Sequence, residues 1–392
     1  MSGAEQTAAM PNELELSVVL PCLNEALTVG PCVRLAVETI RRLGIAGEVV
    51  VADNGSTDDS VAIAEREGAR VVHETRPGYG SALMGGIEAA RGRYIIMADA
   101  DQSYDLGDLE RFVLKLREGY DLVMGNRLRG RIEPGAMPWL HRWIGNPLLS
   151  GLLGLLFRPG VSDAHCGMRG FSKDGYRRMQ LRTTGMEFAS EMVIKAAFAG
   201  LRMTEIPITL HRDQRDRPPH LRSFRDGWRH LRFMLLFSPT YLFLVPGLAA
   251  MLIGLLTQLA LVRGPQSLLG LRFDVHYMVV GSLLTLLGFQ TIATGFFAKA
   301  YSHAARLYAP DRTLNWISRY FNLERGLIVG AVVLLLGLII NATILVDWLR
   351  SGMGELNAVR PALLASTLMG LGVEIIFSSF FLSMLAIDRR ID

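Results

Sequence analysis

Hydrophobic and polar positions change rhythm near Arg232. Before it, short apolar runs alternate with charged blocks; beyond it, long apolar stretches dominate. In the first part SVVLPCLNE (Ser17 to Glu25) reads as a strand running into a loop, and Val33 to Leu43 carries helical spacing. EVVVADNGSTDDS (Glu48 to Ser60) is a second strand ending in a turn, followed by a helix to about Glu67. ARVVHE is a third, short strand, GYGSALMGGIEAA starts a helix after a glycine turn, and YIIMADAD is a fourth strand. Strand, helix, strand in this rhythm predicts an α/β fold with a parallel sheet and right-handed crossovers. Polar residues collect where the strands finish, at Asn24/Glu25, Asp53 and Asp99/Asp101, so all three clusters are expected at one edge of the sheet.

The second part holds four apolar segments long enough to cross about 30 Å of hydrocarbon, which takes roughly 20 helical residues. They lie near Tyr241 to Val262, Tyr277 to Ala298, Leu327 to Trp348 and Pro361 to Ile387. Glu374 sits alone in the fourth; packing or a polar contact with a neighbouring helix is its expected role. Lys299, Arg306, Arg312, Arg319 and Arg325 fall between the second and third segments, which puts that connection in the cytoplasm by the positive-inside rule. Both termini then lie on the same side. The opening MSGAEQTAAMPNELE, which lacks the basic and apolar regions of a cleaved signal peptide, and the tail IDRRID agree with this. The reading is a multi-pass protein of the cell (inner) membrane: a cytoplasmic domain over 1–221, a juxtamembrane amphipathic helix over 222–240, and an all-α membrane domain over 241–392.

Composition sharpens this picture in two places. Half of the 392 residues are hydrophobic, and the net charge is +4. The basic residues concentrate between Arg202 and Arg232, directly before the apolar part, which suits an anionic bilayer surface rather than nucleic acid. In LRSFRDGWRHLRFMLLF, arginines alternate with Phe224, Trp228, Leu231 and Phe233, the pattern of an interfacial helix, with Trp228 at headgroup depth and Arg225, Arg229 and Arg232 near lipid phosphates. NPLLSGLLGLLF (Asn146 to Phe157) is too short to span and reads either as an interfacial helix or as a buried core helix. Cys22, Cys32 and Cys166 are odd in number and lack metal-ligand spacing, so buried neutral thiols are expected.

The candidate chemistry begins with DAD. Two carboxylates one residue apart at the end of a buried strand can hold a hard divalent cation, Mg2+ or Mn2+, that bridges to phosphate oxygens. Asp53, ending another strand, faces the same edge and can accept hydrogen bonds from a nucleotide base, while Ser56 or Thr57 and neighbours cap the following helix. RPGYGSALMGG is no phosphate loop of the G-x-x-x-x-G-K type; Gly78 and Gly80 allow a tight approach there, and Arg76 can meet a base or phosphate.

PCLNE, ADNGSTDDS, RPGYGSALMGG and MADAD occur in the order and at the spacing of the family 2 glycosyltransferases, which the stretch Ser17 to Pro239 closely resembles. MGNRLRG, SDAHCGMRGF and the apolar part look like the branch that makes polyprenyl-phosphate sugars, the dolichyl-phosphate mannose and glucose synthases; CGMR is closer to the glucose type. The resemblance implies a GT-A type, Rossmann-like and mostly parallel sheet domain followed by a four-helix membrane domain. It implies that Pro21, Asn24, Glu25 and Asp53 line a nucleotide pocket, with Asp99 and Asp101 at the metal and diphosphate. Arg127 and Arg142 correspond to arginines that receive the acceptor phosphate, Asn146 falls near a position where mannose synthases have serine, and Arg222 stands where a lysine commonly contacts the donor diphosphate. Many relatives read DADLQ, with the glutamine as a further metal ligand; this chain has Gln102 and then Ser103, which leaves a third ligand open.

The implied reaction moves a hexose from a UDP- or GDP-linked sugar to a polyprenyl phosphate. A phosphate monoester with a second pKa of about 6 is an anionic nucleophile at neutral pH and needs a positive cradle but no general base. Arg127, Arg129, Arg131 and Arg142 suit that cradle. No Glu-Asp pair of the sort that deprotonates sugar hydroxyls occurs around Met186 to Glu191, and Glu187 and Glu191, four apart on a predicted helix, are expected to support structure. In-line displacement would invert the anomeric centre. Two other classes stay open: a transferase acting on a lipid or glycan hydroxyl, though GWRHLRF does not match the Q-x-x-R-W of processive synthases, and a catalytically silent membrane scaffold or carrier, against which the intact DAD argues.

Overall fold

The apolar runs of the first part pair into one seven-stranded sheet in the computed structural model, which describes residues 14–214, 223–268, 270–304 and 322–387. The strands are β1 (Leu16–Cys22), β2 (Gly47–Asp53), β3 (Arg70–His73), β4 (Tyr94–Met97), β5 (Leu122–Ile132), β6 (Arg169–Ser172) and β7 (Met203–Leu210), ordered β3-β2-β1-β4-β6-β5-β7. All pairings are parallel except those of β6, which runs against β4 and β5. The expected α/β fold with a mostly parallel sheet is thus found. Val18, Val19, Leu20, Val50, Val51, Ile95 and Ile96 are fully buried, as strands covered by helices on both faces require.

The order of the strands places the crevice. From β1 the chain moves outward to β2 and β3, then returns to β4 on the other side of β1. Such a reversal opens a cleft at the carboxyl ends of the strands that flank it. β4 pairs Met97 with Val19 and stops, while β1 continues to Cys22, opposite Asp53 of β2. Residues 98–101 therefore leave the sheet just below the end of β1.

Helices α1 (Val29–Arg42), α2 (Ser60–Arg66), α3 (Tyr79–Ala89), α4 (Leu109–Arg117), α5 (Asn146–Phe157), α6 (Lys173–Met179) and α7 (Phe188–Phe198) follow in chain order. The helix predicted from Val33 begins one turn earlier. α3 sits against β1 and β2 through Gly86, where an added Cβ would lie 2.6 Å from Val19 Cγ1 and 3.0 Å from Ala52 Cβ. α2 starts after Asp59 without a side-chain cap; instead of capping it, Thr57 donates its N–H to Asn24 Oδ1 at 2.7 Å. α5 is not a buried core helix, since only Ser150 and Leu153 are buried in it. A further helix, α8 (Ser223–Leu236), crosses the boundary between the two units into which the chain divides, Met1–Met234 and Leu235–Asp392.

The second unit contains α9 (Val245–Leu261), α10 (Val275–Ala304), α11 (Leu323–Arg350) and α12 (Val359–Ile387). Together with the turn before α9, they supply four helices long and apolar enough to cross a membrane: Thr240–Leu261, Val275–His303, Leu323–Arg350 and Val359–Leu385. Small residues let their backbones approach: a Cβ on Gly254 would meet Gly281 O at 2.4 Å, and one on Gly372 would meet Gly330 O at 2.7 Å. Gln258 of α9 donates to Thr285 of α10 at 3.2 Å and accepts from Thr367 of α12 at 2.9 Å, and Thr367 also bonds Ser282 at 2.7 Å. Glu374 Oε2 is buried without a hydrogen bond among the described residues. Arg306, Arg312 and Arg319 of the basic connection, and the charged tail, lie outside the described residues.

The seating of α3 has a measurable consequence. Gly86→Ala is expected to destabilise the protein by about 1–3 kcal/mol through overpacking against Val19. Gly151→Ala in α5, where a Cβ meets nothing within 4 Å, is expected to leave stability unchanged or raise it by up to about 1 kcal/mol through helix propensity. Thermal unfolding of the detergent-solubilised chain distinguishes the two; equal losses would contradict this packing.

Candidate functional site

Asp99 and Asp101 leave β4 into a cleft of about 580 Å³ whose walls include Pro21, Leu23, Glu25, Asn54, Gly78 and Tyr79. Each acid is held. The Tyr79 hydroxyl donates to Asp99 Oδ1 at 2.8 Å; burial and the carboxylate push the Tyr79 phenol well up, so it keeps its proton. On the other side Gly167 stands against the same carboxylate: a Cβ there would lie 2.7 Å from Asp99 Oδ2 and 3.0 Å from Tyr104 Oη. Asp101 is buried and accepts from the Ser103 backbone at 3.0 Å and from the Ser103 hydroxyl. Ser103 is thus turned onto the second acid.

The loops after β1 and β2 are tied to each other. Asn24, in the left-handed region at φ 56°, accepts from Thr57, and its own N–H donates to Ser56 Oγ at 2.9 Å. Asp53 is buried and accepts from Ser56 N at 3.0 Å and Gly55 N at 3.3 Å, with His73 Nδ1 at 3.2 Å. Burial pushes its carboxyl up, but the bonds from Ser56, His73 and Gly55 outweigh that and hold it below the usual range. Asn54, which the sequence reading passed over, lines the cleft and fixes the glycine turn: it accepts from Gly78 N at 2.7 Å and donates to the carbonyls of Glu74 and Arg76. Pro21 and Glu25 line the cleft; Asn24, Asp53 and Arg76 are not among its walls. Arg76 is exposed and paired with Glu74 at 3.1 Å.

Arg127 is buried rather than open to a ligand. Its Nε and Nη2 donate to the two oxygens of Asp163 at 2.8 and 2.7 Å, and Asp163 is fully buried. Arg142 lies on the π-helical turn His141–Gly145, exposed, with its guanidinium 5.2 Å from the Trp143 ring centre. In the same turn, burial and then the Arg127 charge push His141 down. Asn146 begins α5 and donates to Met137 Sδ at 3.4 Å. None of these three is among the cleft's walls. Trp139 and Trp143, each 68% exposed, and Leu148 give this edge an apolar surface.

Arg169 is fully buried and donates to the carbonyls of Cys166, Ala189 and Ala164 at 2.7–2.9 Å. Asp163 and Arg169 lie in the quoted SDAHCGMRGF, but the motif says nothing of burial. Glu191 is consumed structurally, accepting from Arg182 N, Thr183 N and the Thr183 hydroxyl and pairing with Lys195 at 2.8 Å. Glu187 differs: its Oε2 is buried without a partner among the described residues, and Gly185 beside it lines the cleft.

The lipid-facing role expected for α8's arginines is corrected for two of them. Arg225 and Arg229 line the cleft with Asp99 and Asp101, because Asp226, His230 and Met234 form a buried stripe that seats the helix on the first unit. His230 Nδ1 and Ser190 Oγ are 2.8 Å apart, and the His165 and His230 rings meet edge to face at 4.8 Å. Burial holds both imidazoles neutral, His230 at about 4. Arg232 and Trp228 remain exposed. Arg222, expected at the donor diphosphate, lies outside the described residues.

Two carboxylates in a cleft, with no set of three His, Cys, Asp or Glu placed to hold an ion together among the described residues, fit a magnesium-like ion, which takes few protein ligands and completes its shell with water and substrate phosphates. The three cysteines are free and buried, and burial pushes Cys22 up to about 11 and Cys32 and Cys166 up to about 12, so inert thiols are found as expected.

Comparison with known proteins follows the same division. Residues 17–179 match the Glycosyl transferase family 2 domain, and residues 296–386 the Glycosyltransferase family 2 C-terminal transmembrane region. The chain is 42% identical over 371 residues to the low-salt glycan biosynthesis hexosyltransferase Agl6 of Haloferax volcanii, covering 94% of this chain and 89% of that one. It is 30% identical over 195 residues to a dolichyl-phosphate hexose transferase of the same organism, covering 50% of this chain and 82% of that one. Among solved structures, glucosyl-3-phosphoglycerate synthase from Mycobacterium tuberculosis, in complex with Mn2+, UDP and glucosyl-3-phosphoglycerate, is 24% identical with a TM-score of 0.44, covering 57% of this chain and 78% of that one. From its strand-end acids to its membrane helices, and alike over nearly its whole length to a hexosyltransferase, the chain belongs to glycosyltransferase family 2.

Proposed function

We propose that this membrane glycosyltransferase moves a hexose from a UDP- or GDP-linked donor to a polyprenyl phosphate at the cytoplasmic face of the membrane, with inversion at the anomeric carbon. The observation that carries the reading is the pair Asp99 and Asp101, held side by side in the cleft at the strand-order reversal. The similarity to a relative named a dolichyl-phosphate hexose transferase supports the acceptor. In this reading Pro21, Glu25 and the loop fixed by Asn24, Asp53 and Asn54 receive the nucleoside. Asp99 and Asp101 would hold Mg2+ or Mn2+, which when bound supplies Lewis-acid stabilisation to the departing diphosphate. The acceptor phosphate meets Arg142, with Arg127 behind it as a fixed positive charge, and the apolar surface around Trp139, Trp143 and Leu148 faces lipid.

The acceptor chemistry follows from charge. A lipid phosphate is already an anion at neutral pH, so positioning and electrostatics suffice for attack. Glu191 has its oxygens occupied and offers no base. Glu187 favours a second reading, transfer to a lipid or glycan hydroxyl, because an unpartnered carboxylate oxygen beside the cleft is what a general base requires.

Purified protein incubated with undecaprenyl phosphate and a panel of UDP- and GDP-sugars is expected to give a lipid-phosphate sugar by mass spectrometry, β-linked from an α-linked donor; no product from any donor, or retention of configuration, would overturn the proposal. Chelation should stop transfer and Mn2+ or Mg2+ restore it, and Asp101→Asn should lower kcat by at least about a hundredfold. Arg142→Gln should raise KM for the lipid phosphate about tenfold or more while leaving donor affinity unchanged. Arg127→Ala reports stability instead, since it strands the buried Asp163 at a cost of about 3–5 kcal/mol. Glu187→Gln should leave kcat within about twofold if the acceptor is a phosphate, whereas a hydroxyl acceptor predicts losses on the order of a hundredfold or more.

A further inference from the structure

Two polar side chains midway along the membrane-spanning helices have nothing to bond. Glu374 Oε2 of α12 is buried without a hydrogen bond among the described residues. Gln290 of α10 is exposed; its carbonyl takes the Thr294 hydroxyl at 2.8 Å, but its side-chain amide has no partner among the described residues. By contrast Gln258, Thr285, Thr367 and Ser282 bond one another, and Thr291 and Ser379 close onto carbonyls of their own helices. Hydrocarbon offers neither donor nor acceptor, so a carboxyl and an amide at this depth need a protein partner.

The two groups stand at one level. α10 and α12 run side by side in the same direction: Ser282 bonds Thr367 at 2.7 Å, a Cβ on Gly370 would lie 3.3 Å from Leu286 Cδ2, and the rings of Phe297 and Phe381 meet at 4.6 Å. The offset in residue number that relates Leu286 to Gly370 and Phe297 to Phe381 also relates Gln290 to Glu374. Glu374, one turn beyond Gly370, is on the side of α12 turned to α10. Gln290 is on the outer flank of that seam, in a row with Leu283, Leu287 and Thr294, all exposed. Phe377, one turn beyond Glu374, is 68% exposed. A row spaced four, three and four residues apart is one along which helices pack, and a polar member fixes its register.

We propose that the α10–α12 face is an interface with a second copy of this chain, in which the Gln290 amide of each copy donates to Glu374 Oε2 of the other. A two-fold axis along the membrane normal preserves depth, so it can pair only groups that lie at one level, and it pairs them twice. Gln290 and Glu374 meet that condition with complementary chemistry, an amide N–H for a carboxyl oxygen. Leu283, Leu287 and Phe377 then pack around the polar pairs, and no unanswered amide is left toward lipid. The bond joins protomers without drawing on the network of Gln258, which holds the helices within one chain.

Energy transfer between full-length chains carrying terminal fluorescent labels, reconstituted in phosphatidylcholine–phosphatidylglycerol vesicles over a range of protein-to-lipid ratios, tests this. The unsubstituted chain is expected to dimerise. Glu374→Leu and Gln290→Leu should each weaken dimerisation on the order of tenfold, since each removes both symmetric bonds. The double substitution should cost no more than about twofold beyond either single one, because the partner is already lost. Glu374→Gln, which keeps an acceptor oxygen, should stay within about threefold of the unsubstituted chain. A chain that stays monomeric at every ratio, as pairing of Glu374 with Gln290 inside one copy would leave it, overturns the proposal. So do losses that add in the double variant, and association indifferent to both substitutions. Oxidative cross-linking reads the interface with the polar pair intact: Leu287→Cys should form covalent dimers faster than Ile339→Cys on the exposed face of α11, the native cysteines being buried. Equal rates, or the reverse order, would place the interface elsewhere and overturn it.

Discussion

A buried guanidinium must have its N–H groups answered, because water cannot reach them and an unanswered charge in a protein interior is costly. Arg169 meets that demand from inside the loop that precedes β6, donating to the carbonyls of Ala164 and Cys166 and to Ala189 of α7. Arg127 meets it across strands through Asp163. Asp163 is in turn placed by Glu205 of β7, which accepts its N–H at 2.9 Å and that of Ser162 at 2.6 Å. The loop from Ser162 to Arg169 is therefore fastened at both ends. Gly167, in its middle, is pressed against Asp99 as a result. Two arginines thus brace the loop that lies against Asp99, while the Tyr79 hydroxyl holds the same carboxylate from the other side.

The same logic explains why one antiparallel strand interrupts an otherwise parallel sheet. β6 enters between β4 and β5 directly after Arg169. It carries the fastened loop to the carboxyl ends of its neighbours, where a parallel strand would have delivered its starting residues to the opposite edge. β1, β2 and β4 bring acids to that edge from one half of the sheet, and β6 brings the loop that braces them. α8 then adds arginines from beyond β7. These arginines thus come from a segment more than a hundred residues from Asp99 and Asp101, and no local pattern sets that spacing.

In the membrane unit the balance of forces is different. Apolar side chains gain little by leaving lipid for one another, so close backbone contact and shared hydrogen bonds hold the helices together. Gly330 against Gly372 joins α11 to α12, Gly254 against Gly281 joins α9 to α10, and Gln258 with Thr285, Thr367 and Ser282 ties α9, α10 and α12. Glu374 stands outside that network.

Alternation and run length were enough to make the first four strands and the four spans legible, because burial on both faces of a sheet or in a bilayer is written directly into consecutive residues; β5, β6 and β7 were not read from the sequence. The ordered acids at strand ends were legible for the same reason: a strand that ends at the sheet's edge has nowhere else to put them. The chemistry of the arginines was not. Arg127 reads the same on paper whether it is open or paired with Asp163, and Arg229 reads as a lipid contact until the stripe of Asp226, His230 and Met234 fixes the turn of its helix. Sequence alone determined that Glu25, Asp99 and Asp101 gather at one edge of the sheet; only tertiary structure decided that Asp53 turns into its own loop, that Asp226 joins the cleft, and which positive charges face it, since a guanidinium's availability depends on partners far along the chain.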